Sequence, residues 1–218
     1  AVTVGPRNFE LKCNALHLAT ILNAFARAQI VDLKLFAHLS YVTLRLSHEE
    51  FEGQSVALLL NAFANARIRD HNLVARLCGV AMGLPHASFD SFAIASLFHS
   101  LAVLALPSSS LTDHLSASLL KARQSSFLAR DFNAHALANL AWSLAVLQVE
   151  DRVVHRWVCE AALPLLSTMS PACLAQMHQF VLFHVIERPF TPPLPELGRL
   201  TRHASAIRKG FEAEEERR

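Results

Sequence analysis

Glycine is the first scarcity: the chain has six among 218 residues. A loop that cradles phosphate needs glycines close together, and neither a Walker loop nor a dinucleotide fingerprint is present. Charge is the second: 17% of the residues are Asp, Glu, Lys or Arg, against about 25% in typical globular chains. Much of the surface is therefore apolar or mildly polar, which suits a subunit of an assembly. The alternative is a well-packed helical monomer whose many Ala residues raise the apolar share. Long apolar runs are missing too. None approaches the ~18 residues of a membrane-crossing helix, so no membrane span is predicted. The four cysteines, Cys13, Cys78, Cys159 and Cys173, stand far apart without a CxxC pair and read as reduced core residues of a reducing compartment. Twelve histidines include no HExxH or similar spacing, so neither a metal site nor a cofactor is expected.

An excess of charge of either sign is also lacking. The net charge of +2 is too small to imply nucleic acid by itself. Within the basic residues, however, Lys is rare (Lys12, Lys34, Lys121, Lys209) and the remaining sixteen are Arg. Arg pairs bidentately with phosphate and stacks on bases. A GC-rich genome produces the same bias.

What the chain does have is repetition. The stretch Ile21–Ala28 (ILNAFARA) returns 38 residues later as Leu59–Ala66 (LLNAFANA), with weaker copies at Leu97–Leu104 and Leu140–Leu147. A fixed period of about 20–50 residues is the signature of a repeat architecture. Within each copy, apolar residues fall at helical intervals, as in Leu11, Ala15, Leu18, Leu22 and Phe25, and again after a short turn in Leu35, Leu39, Val42 and Leu46. Each unit is thus a helical hairpin, helix A followed by helix B. Asp32, Asp70 and Asp151 share one column as N-caps of helix B, with Ser108 as the fourth member. Phe51, Phe89 and Phe132 share another, with Cys13 as the odd member, and read as the openings of helix A; the first helix A runs from Phe9. Ala19, Ala57, Ala95 and Ala138 fill a third, where helices approach closely.

The predicted fold is all-α: an α-solenoid of four to five helix-turn-helix repeats of roughly 38–43 residues, plus a C-terminal helix. Residues 1–8 form an irregular lead-in, 9–188 the solenoid, 189–196 a Pro-rich linker, and 197–218 the last helix with a charged tail. The stretch Arg123–Arg130 reads as an insertion. Ser170-Pro171 starts a fifth helix A, for which no helix B is evident.

Catalysis finds no motif. His135 with Asp131, or His48 with Glu49 and Glu50, are the nearest pairings for acid–base work, and a lone His beside a carboxylate in a helical repeat is far more often a surface or capping group. No catalytic residue is assigned. The stronger candidate is a stripe on helix A at positions i, i+4, i+7 and i+11, which face one way. It supplies Thr20, Asn23 and Arg27; Gln54, Asn61 and Asn65; Ser96 and His99; and His135, Asn139 and Trp142, among the apolar Leu16, Leu58, Phe92, Val103 and Val146. Asn and Gln read base edges, and His or Trp stacks on unpaired bases. The competing structural reading is a half-exposed helix face whose amides bond between repeats, as an Asn23–Asn61 ladder.

The pattern LxxLLNAFAxAxIxDxxLxxxL resembles the roughly 38-residue octotricopeptide and heptatricopeptide repeats of organellar proteins. Similar helices occur in the FAST-kinase-like and RAP-domain proteins, to which Leu137–Leu147 (LANLAWSLAVL) and Gln176–Glu187 (QMHQFVLFHVIE) are similar. The likeness runs from about Phe9 to Glu187, and nothing after Pro195 looks like a RAP domain. The resemblance implies an organellar RNA-binding or RNA-scaffolding protein, and the lack of any catalytic motif makes a non-enzymatic one the expectation. Its location would be mitochondrial, with the plastid second; a chain beginning at Ala1 rather than Met fits one from which a targeting peptide has gone. A short, apolar member fits a structural subunit of a ribonucleoprotein such as the mitochondrial ribosome, bound to rRNA and neighbouring proteins. Two alternatives stay open: a protein-only scaffold in an organellar complex such as a respiratory one, and an RNA-stability or processing factor.

Overall fold

Short polar side chains decide where most of the helices begin. In a computed structural model that describes residues 14–124, 132–187 and 193–203, with 209, 212 and 216 as isolated positions, ten α-helices are seen and no strand among those residues. Helices A are α1 (Ala15–Arg27), α3 (Gly53–Asn65), α5 (Ser91–Leu104), α7 (Ala134–Val146) and α9 (Pro171–Leu182). Helices B are α2 (Leu33–Leu44), α4 (His71–Gly83), α6 (Ser109–Gln124), α8 (Arg152–Ala162) and α10 (Pro195–Arg202). Asp32, Asp70 and Asp151 cap α2, α4 and α8 as expected, each accepting backbone N–H groups of the first turn.

Helix A begins later than the sequence suggests. Phe51, Phe89 and Phe132 do not open it. They stand one residue before its cap, buried, while Glu52, Asp90 and Asn133 take the N-cap position. Asn14 does the same for α1, accepting His17 N–H at 2.9 Å. A short polar acceptor competes better than Phe for the unpaired N–H groups, and the Phe before it goes to the core. The lead-in 1–8, the start at Phe9, Cys13, and most of the insertion and of the linker lie outside the described residues.

Each helix A packs on the next, α1 through α9, and the helices B form a second layer in the same order. The Ala column is the seam of the first layer: Ala19, Ala57, Ala95 and Ala138 are all buried. One correction concerns the end of the array. Helix α10 begins at Pro195, where a missing N–H costs nothing, and packs on α8 and α9 with Leu200 wholly buried. It is the helix B of a fifth hairpin, held also by Arg152 to the Pro193 carbonyl (3.4 Å) and by Arg156 beside Glu196 (3.7 Å). Cys78, Cys159 and Cys173 are buried free thiols, and burial pushes the Cys159 thiol up to about 12.

The scarcity of glycine has a local consequence. Four A-to-B turns each hold one left-handed residue, Gln29, Arg67, Ala105 and Gln148, with φ of 58°, 54°, 52° and 53°. In these turns the N–H just after the left-handed residue reaches back, as from Ile68 to the Phe63 carbonyl at 2.9 Å and from Leu106 to Leu101 at 3.1 Å. Glycine is the usual residue there. Ala105→Gly is therefore expected to stabilise the chain by about 0.5–1 kcal/mol: release of left-handed strain of about 1–2 kcal/mol outweighs the added freedom of the unfolded chain. A lower urea midpoint for that variant would contradict the turn geometry.

Candidate nucleic-acid interface

Because the helices A stack side by side, their stripes line up into one surface. A groove of about 500 Å³ crosses α1, α3, α5 and α7. It gathers eight of the eleven stripe residues: Asn23, Arg27, Asn61, Asn65, Ser96, His99, His135 and Asn139. Leu58, Phe92, Ala95 and Ala136 add apolar wall, and Asn133, the cap of α7, adds an amide that the stripe did not include. Three expected residues are elsewhere. Thr20 turns its hydroxyl back to the Leu16 carbonyl at 2.8 Å. Gln54 is exposed in the first turn of α3. Trp142 lines a smaller hollow of about 240 Å³ with Gln179 and Phe183.

Much of the stripe is bonded between repeats. Asn61 donates through Nδ2 to Asn23 Oδ1 at 3.1 Å. Asn139 accepts from Gln176 Nε2 at 2.8 Å and donates to His135 Nε2 at 3.2 Å. Trp142 Nε1 donates to Gln179 Oε1 at 2.6 Å. The ladder weighed against RNA contact therefore exists, and it extends to a fifth column member that the sequence reading passed over. Gln176 and Gln179 follow Asn139 and Trp142 by 37 residues, so continuing the columns one repeat further would have found them.

Charge in the groove is slight. Among the described residues Arg27 is its one Lys or Arg, and no Asp or Glu lines it. Arg67 and Arg69 are exposed in the turn just after Asn65. Elsewhere Arg45 bonds the Tyr41 hydroxyl at 2.9 Å and Arg76 bonds the Leu46 carbonyl at 3.1 Å, so neither projects freely to a ligand. His99 is held neutral: burial, then His135 nearby, pushes its pKa down to about 4. Its ring lies 5.3 Å from that of Trp142. The arrangement offers uncharged hydrogen-bonding groups and aromatic faces, with cations at one end. Among the described residues no group of three or more His, Cys, Asp or Glu is placed to share a metal ion, and no helix is long and apolar enough to cross a membrane.

The sequence from residue 7 to residue 214 matches the family model described as RNA-editing substrate-binding complex 6 protein. The chain belongs to this family. The match spans nearly the whole chain and includes every helix of the groove. No curated protein matches the sequence. Within the substrate-binding complex 6 family the chain is thus a helical-repeat member with its polar stripes assembled on one layer. The narrower relation to octotricopeptide and FAST-kinase-like proteins gains no support from the match.

Proposed function

We propose that the chain is a non-catalytic, RNA-binding subunit of a mitochondrial RNA-editing complex, and that it holds single-stranded RNA along the helix A groove. The observation that carries this reading is the groove itself, eight expected residues on four successive helices, in a member of a family whose printed description names an RNA-editing substrate-binding complex. Ribosomal and plastid assignments have no comparable support. Amide groups and aromatic faces suit unpaired bases, whose faces and Watson–Crick edges are open, better than a duplex, in which both are occupied. The phosphates would pass Arg27, Arg67 and Arg69.

So few cations imply a shallow salt dependence, since each phosphate contact to a single strand contributes a slope of about −0.7 in log K against log salt. Titration of the purified chain with short single-stranded RNA over a range of salt is expected to give a slope no steeper than about −2. Arg27→Ala is expected to weaken binding evenly across sequences and to make the slope shallower by about 0.7. No binding to single-stranded RNA even at low salt would end the proposal.

The protein-scaffold reading keeps one specific observation. Ile21 and Ile30 are 38% and 53% exposed on the first hairpin, whereas Leu59, the counterpart of Ile21 in the second, is wholly buried. Among the described residues nothing covers that end of the array. An RNA-binding subunit seated among protein partners accommodates both observations.

A further inference from the structure

We infer that the groove holds a single unpaired nucleobase at the third hairpin, where the ladder of bonds between repeats is interrupted. This rests on the RNA-binding reading and deepens it. On one side of α5 the stripe is satisfied by Asn23 with Asn61, and on the other by His135, Asn139 and Gln176. Between them, Ser96 Oγ and His99 Nδ1 are buried and have no hydrogen-bond partner. Ser96 is only 8% exposed, and both residues line the groove.

A buried polar atom without a partner is costly in a folded chain and calls for an explanation. Here two lie three residues apart on one helix face, beside a groove large enough for a small ligand, whose usual range is about 300–1,000 Å³. The chemistry of the walls selects among ligands. A phosphate needs cations and an ammonium needs carboxylates, and among the described residues no cation stands at this position and no carboxylate lines the groove. Phe92, one turn before Ser96 and 47% exposed, offers a bare aromatic face. A flat ring with donors and acceptors on its edge answers both features, stacking on Phe92 while its edge meets Ser96 and His99. Asn61 bonds Asn23 and Gln176 bonds Asn139 between repeats, whereas Ser96 and His99 bond no other repeat, which places the base at the third hairpin.

The test compares the full chain bound to short mixed-sequence single-stranded RNA with a ribose-phosphate strand of equal length that carries no bases. The abasic strand is expected to bind at least about ten-fold more weakly. Ser96→Ala combined with His99→Leu is expected to raise or preserve the melting temperature, since it removes two unpaired buried groups, while reducing binding of intact RNA to the abasic level. Phe92→Ala, on an exposed site that folding does not depend on, is expected to lose the same base-dependent part. Equal binding of intact and abasic strands would overturn the inference and leave the RNA-binding reading standing. Wild-type affinity in both variants would overturn it too, whereas failure of both strands to bind would overturn inference and reading together. Peptide binding in the groove with no RNA binding counts as the last of these outcomes.

Discussion

Gly53→Ala is expected to destabilise the chain by about 2–3 kcal/mol, the upper part of the range for overpacking, while Gly79→Ala stabilises it by up to about 1 kcal/mol. Both glycines are in helices, Gly53 at the start of α3 and Gly79 within α4. Neither has the left-handed backbone that would require glycine. They differ in what stands next to them. A methyl group on Gly53 would fall on the backbone carbonyl of Ser88, well inside van der Waals contact, with the Phe89 ring 3.2 Å away. Backbone cannot rotate aside as a side chain can, so α3 and the turn before α5 must separate, and the seam between the second and third hairpins opens. At Gly79 an added methyl meets nothing within 4 Å. There it only removes the entropy that glycine loses on entering a helix. Urea unfolding of the two variants against the parent checks the pair; a neutral Gly53→Ala would mean that the two hairpins pack less closely than described.

Lowering the pH from 7 to 5 is expected to cost the fold about 2 kcal/mol through His155 alone. His155 is wholly buried, and its pKa is pushed down to about 4 by burial, against the raising effect of its bond to the Val149 carbonyl. A carbonyl only accepts, so Nε2 carries the proton and donates to Val149 at 2.7 Å. In a neutral ring Nδ1 is then the acceptor, and His184 donates to it through Nε2 at 2.8 Å. A second proton on His155 would set two donors against each other. The unfolded chain has no such restriction and titrates near the ordinary value of about 6.5. Between roughly pH 6.5 and pH 4 the unfolded state therefore binds more protons, and stability falls as pH falls through that window, levelling below it. His99, lowered to about 4 by burial and then by His135, adds a contribution of the same sign over the same window. His155→Gln keeps a donor for Val149 and does not titrate. Denaturant unfolding of that variant is expected to show lower stability at pH 7 but a flatter dependence on pH; an unchanged dependence would place the titrating group elsewhere.

How far the sequence could be read follows from what each feature depends on. Asp32, Asp70 and Asp151 act within their own first turn, so a local pattern suffices to find them. The Ala seam and the polar stripe depend on helical period and a constant repeat, and both survive in the structure because the helices A lie side by side. Helix A starts later than the regular spacing of Phe51, Phe89 and Phe132 suggests, because Asp90 and Asn133 cap better than the Phe before them. The fifth helix B escaped because its place is set by tertiary packing: the interval before it is Pro-rich, and the burial of Leu200 is made by α8 and α9. Pairing within the stripe is likewise decided by side-chain geometry across helices. Spacing puts Asn23 with Asn61, His99 and Trp142 in one column and Ser96 with Asn139 in another, but it does not show that Asn61 bonds Asn23, or that Ser96 and His99 are left without partners.

Photo-crosslinking of the full chain to short single-stranded RNA, with the modified residues identified by mass spectrometry, tests the central claim most directly. Adducts are expected on the helix A layer, at Phe92 and His99 above all, and near Arg27. Adducts confined to the helices B, with α1, α3, α5 and α7 unmodified, would contradict the groove as the RNA-binding surface.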